Sequence, residues 1–210
     1  YDVNQYSAIK IAKLAKSAGV NHFVYASSCS VYGSADEKPR QEDSVLNPLT
    51  AYAKSKVATE KLLKPLASND FTITCLRFAT ACGFSPRIRL DLVLNDFVAS
   101  AIALKNIEIL SDGTPWRPLI HVKDMARAID WASNRSNAIG GNFLVVNTGS
   151  NNWNYQIKDL ALAVQDQLKG IDFSINKNAV KDKRSYQVNF SLFKRLAPKH
   201  APKVDLVEAI

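Results

Sequence analysis

The chain has 210 residues, 47% of them hydrophobic and 22% charged, and a formal net charge of +8. This is enough chain for one sizeable core or one domain with a smaller annex, and the balance excludes disorder, collagen-like repeats and fibrous heptads as the main organisation. No apolar run approaches the roughly 18 residues a membrane span needs, and Tyr1-Asp2-Val3-Asn4 carries neither the basic nor the apolar part of a secretory signal.

Residues 4–18 place Ile9, Ile11, Ala12, Leu14 and Ala15 at helical spacing, and Ala18-Gly19 ends the run. No methionine and no cap signal precede this stretch, which predicts a natural chain that extends upstream. His22 to Ser27 is a short apolar run of β-formers, the pattern of a buried parallel strand. Residues 28–50, polar and punctuated by Gly33, Pro39 and Pro48, form a long loop of the functional kind. A helix is predicted over 51–64, with Thr50 as its cap and Pro65 at its end. Residues 71–77 supply the next strand. Beyond Cys82 come an Arg- and Pro-rich loop, a helix near 90–104, a strand at 107–110 and a turn at Asp112-Gly113. Later elements are a helix over 122–133, a strand at 142–146, a helix at 156–168, a strand at 172–176 and short pieces afterwards. Alternating helices and strands predict an α/β fold built on a parallel sheet.

Cys29, Cys75 and Cys82 form no CxxC pair, so a reducing, cytoplasmic compartment is expected. His22, His121 and His200 are scattered, and no metal site is expected. Positive charge is concentrated in Lys177, Lys181, Lys183, Arg184, Lys194, Arg195, Lys199 and Lys203, opposed only by Asp182. Nucleic-acid modules and interleaved stacking aromatics are missing from the sequence. This stretch therefore divides between a solvated face and a site for a small phosphorylated ligand.

Tyr52-Ala-Lys-Ser-Lys56 puts a phenol and an ammonium on one helix face. A phenol titrates near pH ~10, too high for a good base at neutrality. A neighbouring cation favours the phenolate and suits it to acid–base work. Upstream, the run from Phe23 to Gly33 is a strand that ends in hydroxyl residues, at the end of an open α/β sheet where ligands bind.

Together with Glu42 and Pro48, these residues resemble the extended short-chain dehydrogenase/reductase family, the nucleotide-sugar epimerases and dehydratases. Leu76-Arg77-Phe78 with Gly83, Asp112-Gly113 with Arg117, Ile120-His121-Val122 with Asp124, and Asn147 with Gly149 continue the resemblance in order along the chain. It implies a doubly wound Rossmann-type sheet, incomplete at the N-terminus, with a smaller α/β substrate-binding region. Residues 1–83 and 117–149 would form the Rossmann part with the catalytic residues, and 84–116 and 150–210 the nucleotide-sugar region.

By the same resemblance, Tyr52 is the acid/base at a sugar hydroxyl, and Lys56 holds the nicotinamide ribose and lowers the Tyr52 pKa. Ser28 orients the reacting oxygen, with Ser27 as the alternative in register and a cofactor contact. Arg117 and Arg184 would grip a nucleotide diphosphate. Asn95, Arg87 and Arg89 would also face substrate, whereas His121 reads as structural. NAD is the implied cofactor and NADP the alternative. A homodimer through helices 4–18 and 51–64 is implied as the assembly.

The eight glycines never fall into the GxxGxxG spacing that binds a dinucleotide pyrophosphate, so a chain of this extent is expected to be inactive alone. Cys29 and Ser30 stand where dehydratases of the family carry Asp and Glu, which disfavours elimination, and Thr80 replaces a usual asparagine. Cys29 reads as a small packing residue. The expected reaction is 4-epimerisation of a nucleotide sugar, with an NADPH-dependent 4-keto-sugar reductase as the alternative and a nonenzymatic sugar-nucleotide-binding remnant as a third reading.

Overall fold

The computed structural model describes residues 2–34, 38–176 and 184–210. A turn of π-helix (Asp2–Tyr6) leads into α1 (Ser7–Ser17) and strand β1 (His22–Ser28). After a 3-10 turn (Cys29–Tyr32) and a long loop come α2 (Ala51–Leu63), β2 (Thr72–Phe78), the short β3 (Thr80–Cys82), α3 (Val93–Leu104) and β4 (Asn106–Ile109). The second half runs β5 (Trp116–His121), α4 (Val122–Asn134), β6 (Phe143–Thr148), β7 (Asn154–Gln156), α5 (Ile157–Gln167), β8 (Asp172–Ile175), α6 (Ser191–Leu196) and α7 (Leu206–Ala209).

The main sheet has the order β1-β2-β6 with both pairings parallel. Every residue of the central strand β2 is buried, Arg77 included, as expected of a parallel strand covered on both faces. Alternate β2 side chains serve opposite faces. Ile73 and Cys75 join Ala12 of α1, Leu63 of α2 and Tyr25 in one core, while Leu76 and Phe78 join Ala128, Trp131 and Ala132 of α4 in the other. Helices therefore cover both faces, and the α/β, doubly wound expectation holds.

A second, smaller core of Leu94, Phe97, Ile107, Leu119, Leu160 and Val164 lies among α3, α5 and the short strands. There β3 pairs in parallel with β5, β7 runs antiparallel to β5, and β4 pairs in parallel with β8. The expected division of the chain needs correction in two places. β5, assigned to the Rossmann part, belongs to this smaller sheet. Residues 186–197, assigned to the sugar region, return to the main core instead. Phe193 meets Trp131 edge-on with ring centres 5.5 Å apart, and Phe190 joins the same cluster. Burying two phenylalanines against β6 and α4 outweighs sequence proximity to α5. The short β3, β5 and β7 were not anticipated, because three-residue strands show no period and Pro118 breaks the strand pattern of β5.

A buried ion pair crosses the main core. The Arg77 guanidinium on β2 holds the Glu60 carboxylate of α2 through two contacts, Nε at 3.0 Å and Nη2 at 2.7 Å, and both side chains are nearly sealed from water. Arg77 also reaches the Tyr32 hydroxyl (3.0 Å) and the Glu42 carbonyl (3.1 Å). Tyr32 donates to Asn147 Oδ1 at 2.7 Å, and the Glu42 carboxylate accepts from the Asn147 N–H at 2.9 Å. This network ties α2, β2, β6 and the long loop together. Glu60→Ala would strand the guanidinium, so the unfolding free energy should fall by about 3–5 kcal/mol. A denaturant midpoint unchanged from the parent protein would show that the pair adds nothing.

Candidate active site

Thr50 Oγ1 caps α2 by accepting from the Ala53 N–H at 3.1 Å. Capping sets the phase of the helix, and Tyr52 and Lys56 then face the C-terminal end of β1. The Tyr52 phenol is 47% exposed and hydrogen-bonded to the Ser28 hydroxyl. Ser28 also accepts from the Ser30 N–H at 3.2 Å. Lys56 is buried; its ammonium donates to the Ala26 carbonyl at 2.7 Å. That ammonium lies 5.2 Å from the centre of the Tyr52 ring and 4.8 Å from that of Tyr25, a cation between two aromatic faces. Ser28, Tyr52 and Lys56 are thus one group.

The electrostatics differ from the expectation for this pair. Burial pushes the Tyr52 phenol above its usual value of 10, and the forces opposing that are the Ser28 hydrogen bond and the charge of Arg89. Burial thus outweighs the influences that favour the phenolate. Burial pushes the Lys56 ammonium below its ordinary value, and the Glu60 carboxylate one turn along acts against that.

Ser27 turns to the other side of β1. It is buried and donates to Glu60 Oε1 at 2.6 Å, so it is not the hydroxyl facing Tyr52, and its side chain is spent on the ion pair rather than offered to a cofactor. Successive residues of a strand point to opposite faces, so Ser28, and not Ser27, is turned toward Tyr52. Cys29 is buried with its thiol on the Arg77 carbonyl (3.0 Å), and burial raises its pKa. The neighbouring Ser30 hydroxyl is buried without a hydrogen-bond partner.

Arg117 and Arg184 come together: the Arg117 guanidinium donates to the Trp116 carbonyl at 2.8 Å and to the Arg184 carbonyl. Arg89 pairs with Asp91 at the surface of the loop before α3, and Arg87 is exposed on the same loop. Asn95 sits differently from expectation. Its amide accepts from the Gly83 N–H at 2.9 Å and donates to the Arg89 carbonyl at 3.0 Å, so it staples this loop from within. Gly83 adopts φ +92°, and a Cβ there would stand 2.0 Å from His121 Nε2. His121 itself caps α4 by accepting from the Lys123 N–H at 3.1 Å, and burial lowers its pKa. Of the basic stretch, Lys194, Arg195, Lys199 and Lys203 are exposed, whereas Lys177, Lys181 and Lys183 lie outside the described residues.

Sequence reading passed over Tyr25, Glu60 and Tyr186. Glu60 stands four residues after Lys56, one more turn of the same helix face, and that spacing was the available signal. Among the described residues no group of three His, Cys, Asp or Glu side chains suits a metal ion, and no helix is long and apolar enough to cross a membrane.

Residues 1–149 match the model of the NAD dependent epimerase/dehydratase family. The chain belongs to that family. A UDP-glucose 4-epimerase of Mycolicibacterium smegmatis is 32% identical over 151 residues, 70% of this chain and 47% of that protein. A UDP-glucose 4-epimerase of Rhizobium meliloti is 27% identical over 188 residues, 80% of this chain and 56% of that protein. The chain spans about half the length of the curated relatives it matches. Among solved structures, MoeE5 in complex with UDP-glucuronic acid and NAD superposes with a TM-score of 0.81 at 25% identity, covering 98% of this chain and 68% of that one. The UDP-glucuronic acid 4-epimerase of Bacillus cereus gives 0.81 at 24%, covering 98% and 64%, a likeness of fold.

A near-ultraviolet difference titration of the intact, cofactor-free protein against its Tyr52→Phe variant should place ionisation of this phenol above pH 10, the direction set by burial. A midpoint below that value would restore Lys56 as the dominant influence.

Proposed function

We propose that this chain supplies the acid–base and sugar-nucleotide machinery of an NAD-dependent nucleotide-sugar 4-epimerase. The observation that carries the reading is the single cluster of Ser28, Tyr52 and Lys56 at the C-terminal end of the parallel sheet.

The residues fit a nicotinamide ribose on one side of that cluster. Lys56 is a three-donor ammonium that donates to the Ala26 carbonyl, and its other N–H groups suit vicinal hydroxyls. NAD, when bound there, supplies a carrier that takes hydride from the sugar carbon and returns it. Tyr52 receives the proton of the C4 hydroxyl as that carbon loses hydride, leaving a ketone, and gives the proton back on re-reduction. Ser28 shares the hydrogen bond to the reacting oxygen, and its bond to the phenol already favours the phenolate. The orphaned Ser30 hydroxyl gives a sugar one more partner. Arg117 and Arg184 bring positive charge to a nucleotide diphosphate.

Absence of a carboxylate at residues 29 and 30, with the Cys29 thiol committed to a backbone carbonyl, supports epimerisation over elimination. Three buried, unpaired thiols suit a reducing cytoplasm. The apolar face of α1, where Ile11 is 57% and Leu14 60% exposed, supports a homodimer through α1 and α2.

The intact protein should interconvert UDP-glucose and UDP-galactose without added cofactor, and Tyr52→Phe should lower turnover by about 10²–10⁴-fold. Stoichiometric consumption of NADPH would replace epimerase by 4-keto-sugar reductase. Undiminished turnover in the variant would remove Tyr52 from the chemistry, and nucleotide-sugar binding without any turnover would favour the nonenzymatic remnant. Light scattering should find a dimer that Ile11→Lys with Leu14→Lys converts to monomer; a dimer that survives both changes places the interface elsewhere.

A further inference from the structure

Tyr186 is the large polar side chain that the scheme above leaves unused. It is 6% exposed, in the main core beside Cys29 and Tyr32, with its ring 6.5 Å from that of Tyr32. Two neighbours fix its place. Its N–H reaches the Trp116 carbonyl at 3.4 Å, and the Ser185 hydroxyl accepts from the Trp116 N–H at 3.1 Å, so β5 and the segment after Arg184 are laced together at this point.

Its hydroxyl has no hydrogen-bond partner among the described residues. The ring is buried, yet the hydroxyl is not among the polar atoms sealed off without a partner, so its oxygen keeps an open side for a ligand. The charged and polar groups that act on this phenol are Cys29, Arg117, Arg184 and Tyr52. The side chain lies next to the segment that carries Arg117 and Arg184 on one side and, on the other, packs in one cluster with Cys29, the residue that follows Ser28.

A sugar nucleotide that puts its diphosphate on the arginines and its C4 hydroxyl on Tyr52 must lay the hexose ring across the interval, because C1 and C4 are opposite corners of that ring. We infer that Tyr186 is a specificity-determining residue whose hydroxyl hydrogen-bonds the hexose ring of the bound nucleotide sugar. This rests on the function proposed above. Its consequence is a preference for the sugar nucleotide over the free nucleotide diphosphate, because the bare diphosphate leaves the phenol unpartnered.

Calorimetric titration of the intact, NAD-loaded protein tests this with UDP-glucose, dTDP-glucose and GDP-mannose, each beside its free diphosphate. Tyr186→Phe keeps the ring and its packing. The variant should bind free diphosphate as the parent does, yet bind the preferred sugar nucleotide about 3- to 10-fold more weakly, the worth of one lost hydrogen bond. If the parent discriminates sugar nucleotide from diphosphate and the variant discriminates equally well, Tyr186 does not contact the sugar and this inference alone falls. Equal loss for both ligands also overturns it, since that marks a packing role. A parent protein that binds none of the three sugar nucleotides overturns the proposed function and this inference together.

Discussion

The buried pairing of Arg77 with Glu60 is the constraint around which the site is organised. A guanidinium and a carboxylate removed from water are tolerable only when their hydrogen-bonding capacity is met. Here it is met by groups from five parts of the chain: Ser27 on β1, Tyr32 after it, the Glu42 carbonyl in the long loop, Glu60 on α2 and Arg77 on β2. Each group is thereby held in register with the others. Because Glu60 is one helical turn beyond Lys56, the same pair anchors the helix that presents Lys56 and Tyr52. Because Ser27 is committed to Glu60, Ser28 is left to face the opposite way, toward the phenol.

Burial and charge act against each other at the acid–base pair. Both Tyr52 and Lys56 are driven toward their neutral forms by desolvation, the phenol upward and the amine downward. Hydrogen bonding from Ser28, the charge of Arg89 and the carboxylate of Glu60 push back. In the proposed reaction the phenol must lose its proton and recover it, and a group balanced by opposing influences answers readily to a further charge brought by a bound ligand. The two aromatic faces around the Lys56 ammonium add to that balance, holding a partly desolvated cation that also donates to the Ala26 carbonyl.

The long loop after β1 and the segment 184–190 are joined rather than independent. Arg40 donates to the Gln187 carbonyl at 2.8 Å and accepts from the Asn189 N–H at 2.9 Å. Asn147 at the end of β6 bonds to the carbonyls of both strands of this lacing, Arg40 at 3.3 Å and Asn189 at 3.2 Å. The C-terminal part of the chain thus brings Arg184 and Tyr186 toward the C-terminal end of the main sheet, although sequence order places them far from it.

Much of this was legible without coordinates. Strand β1 shows as a short run of apolar and β-forming residues, α2 shows by its threonine cap and terminal proline, and Tyr52 with Lys56 shows by helical spacing. What depends on local chemistry was readable locally. The short strands β3, β5 and β7 were not, since their pairing is decided by partners distant in sequence. Nor were the sense of the Tyr52 shift, the turning of Ser27 toward Glu60, the use of the Asn95 amide as a loop staple, and the return of Phe190 and Phe193 to the main core. The sequence by itself determined the fold class and the residues that could do acid–base chemistry. Tertiary structure decided which of them face one another and how burial weights their charges, because desolvation and through-space contact are properties of neighbours the chain brings together only on folding.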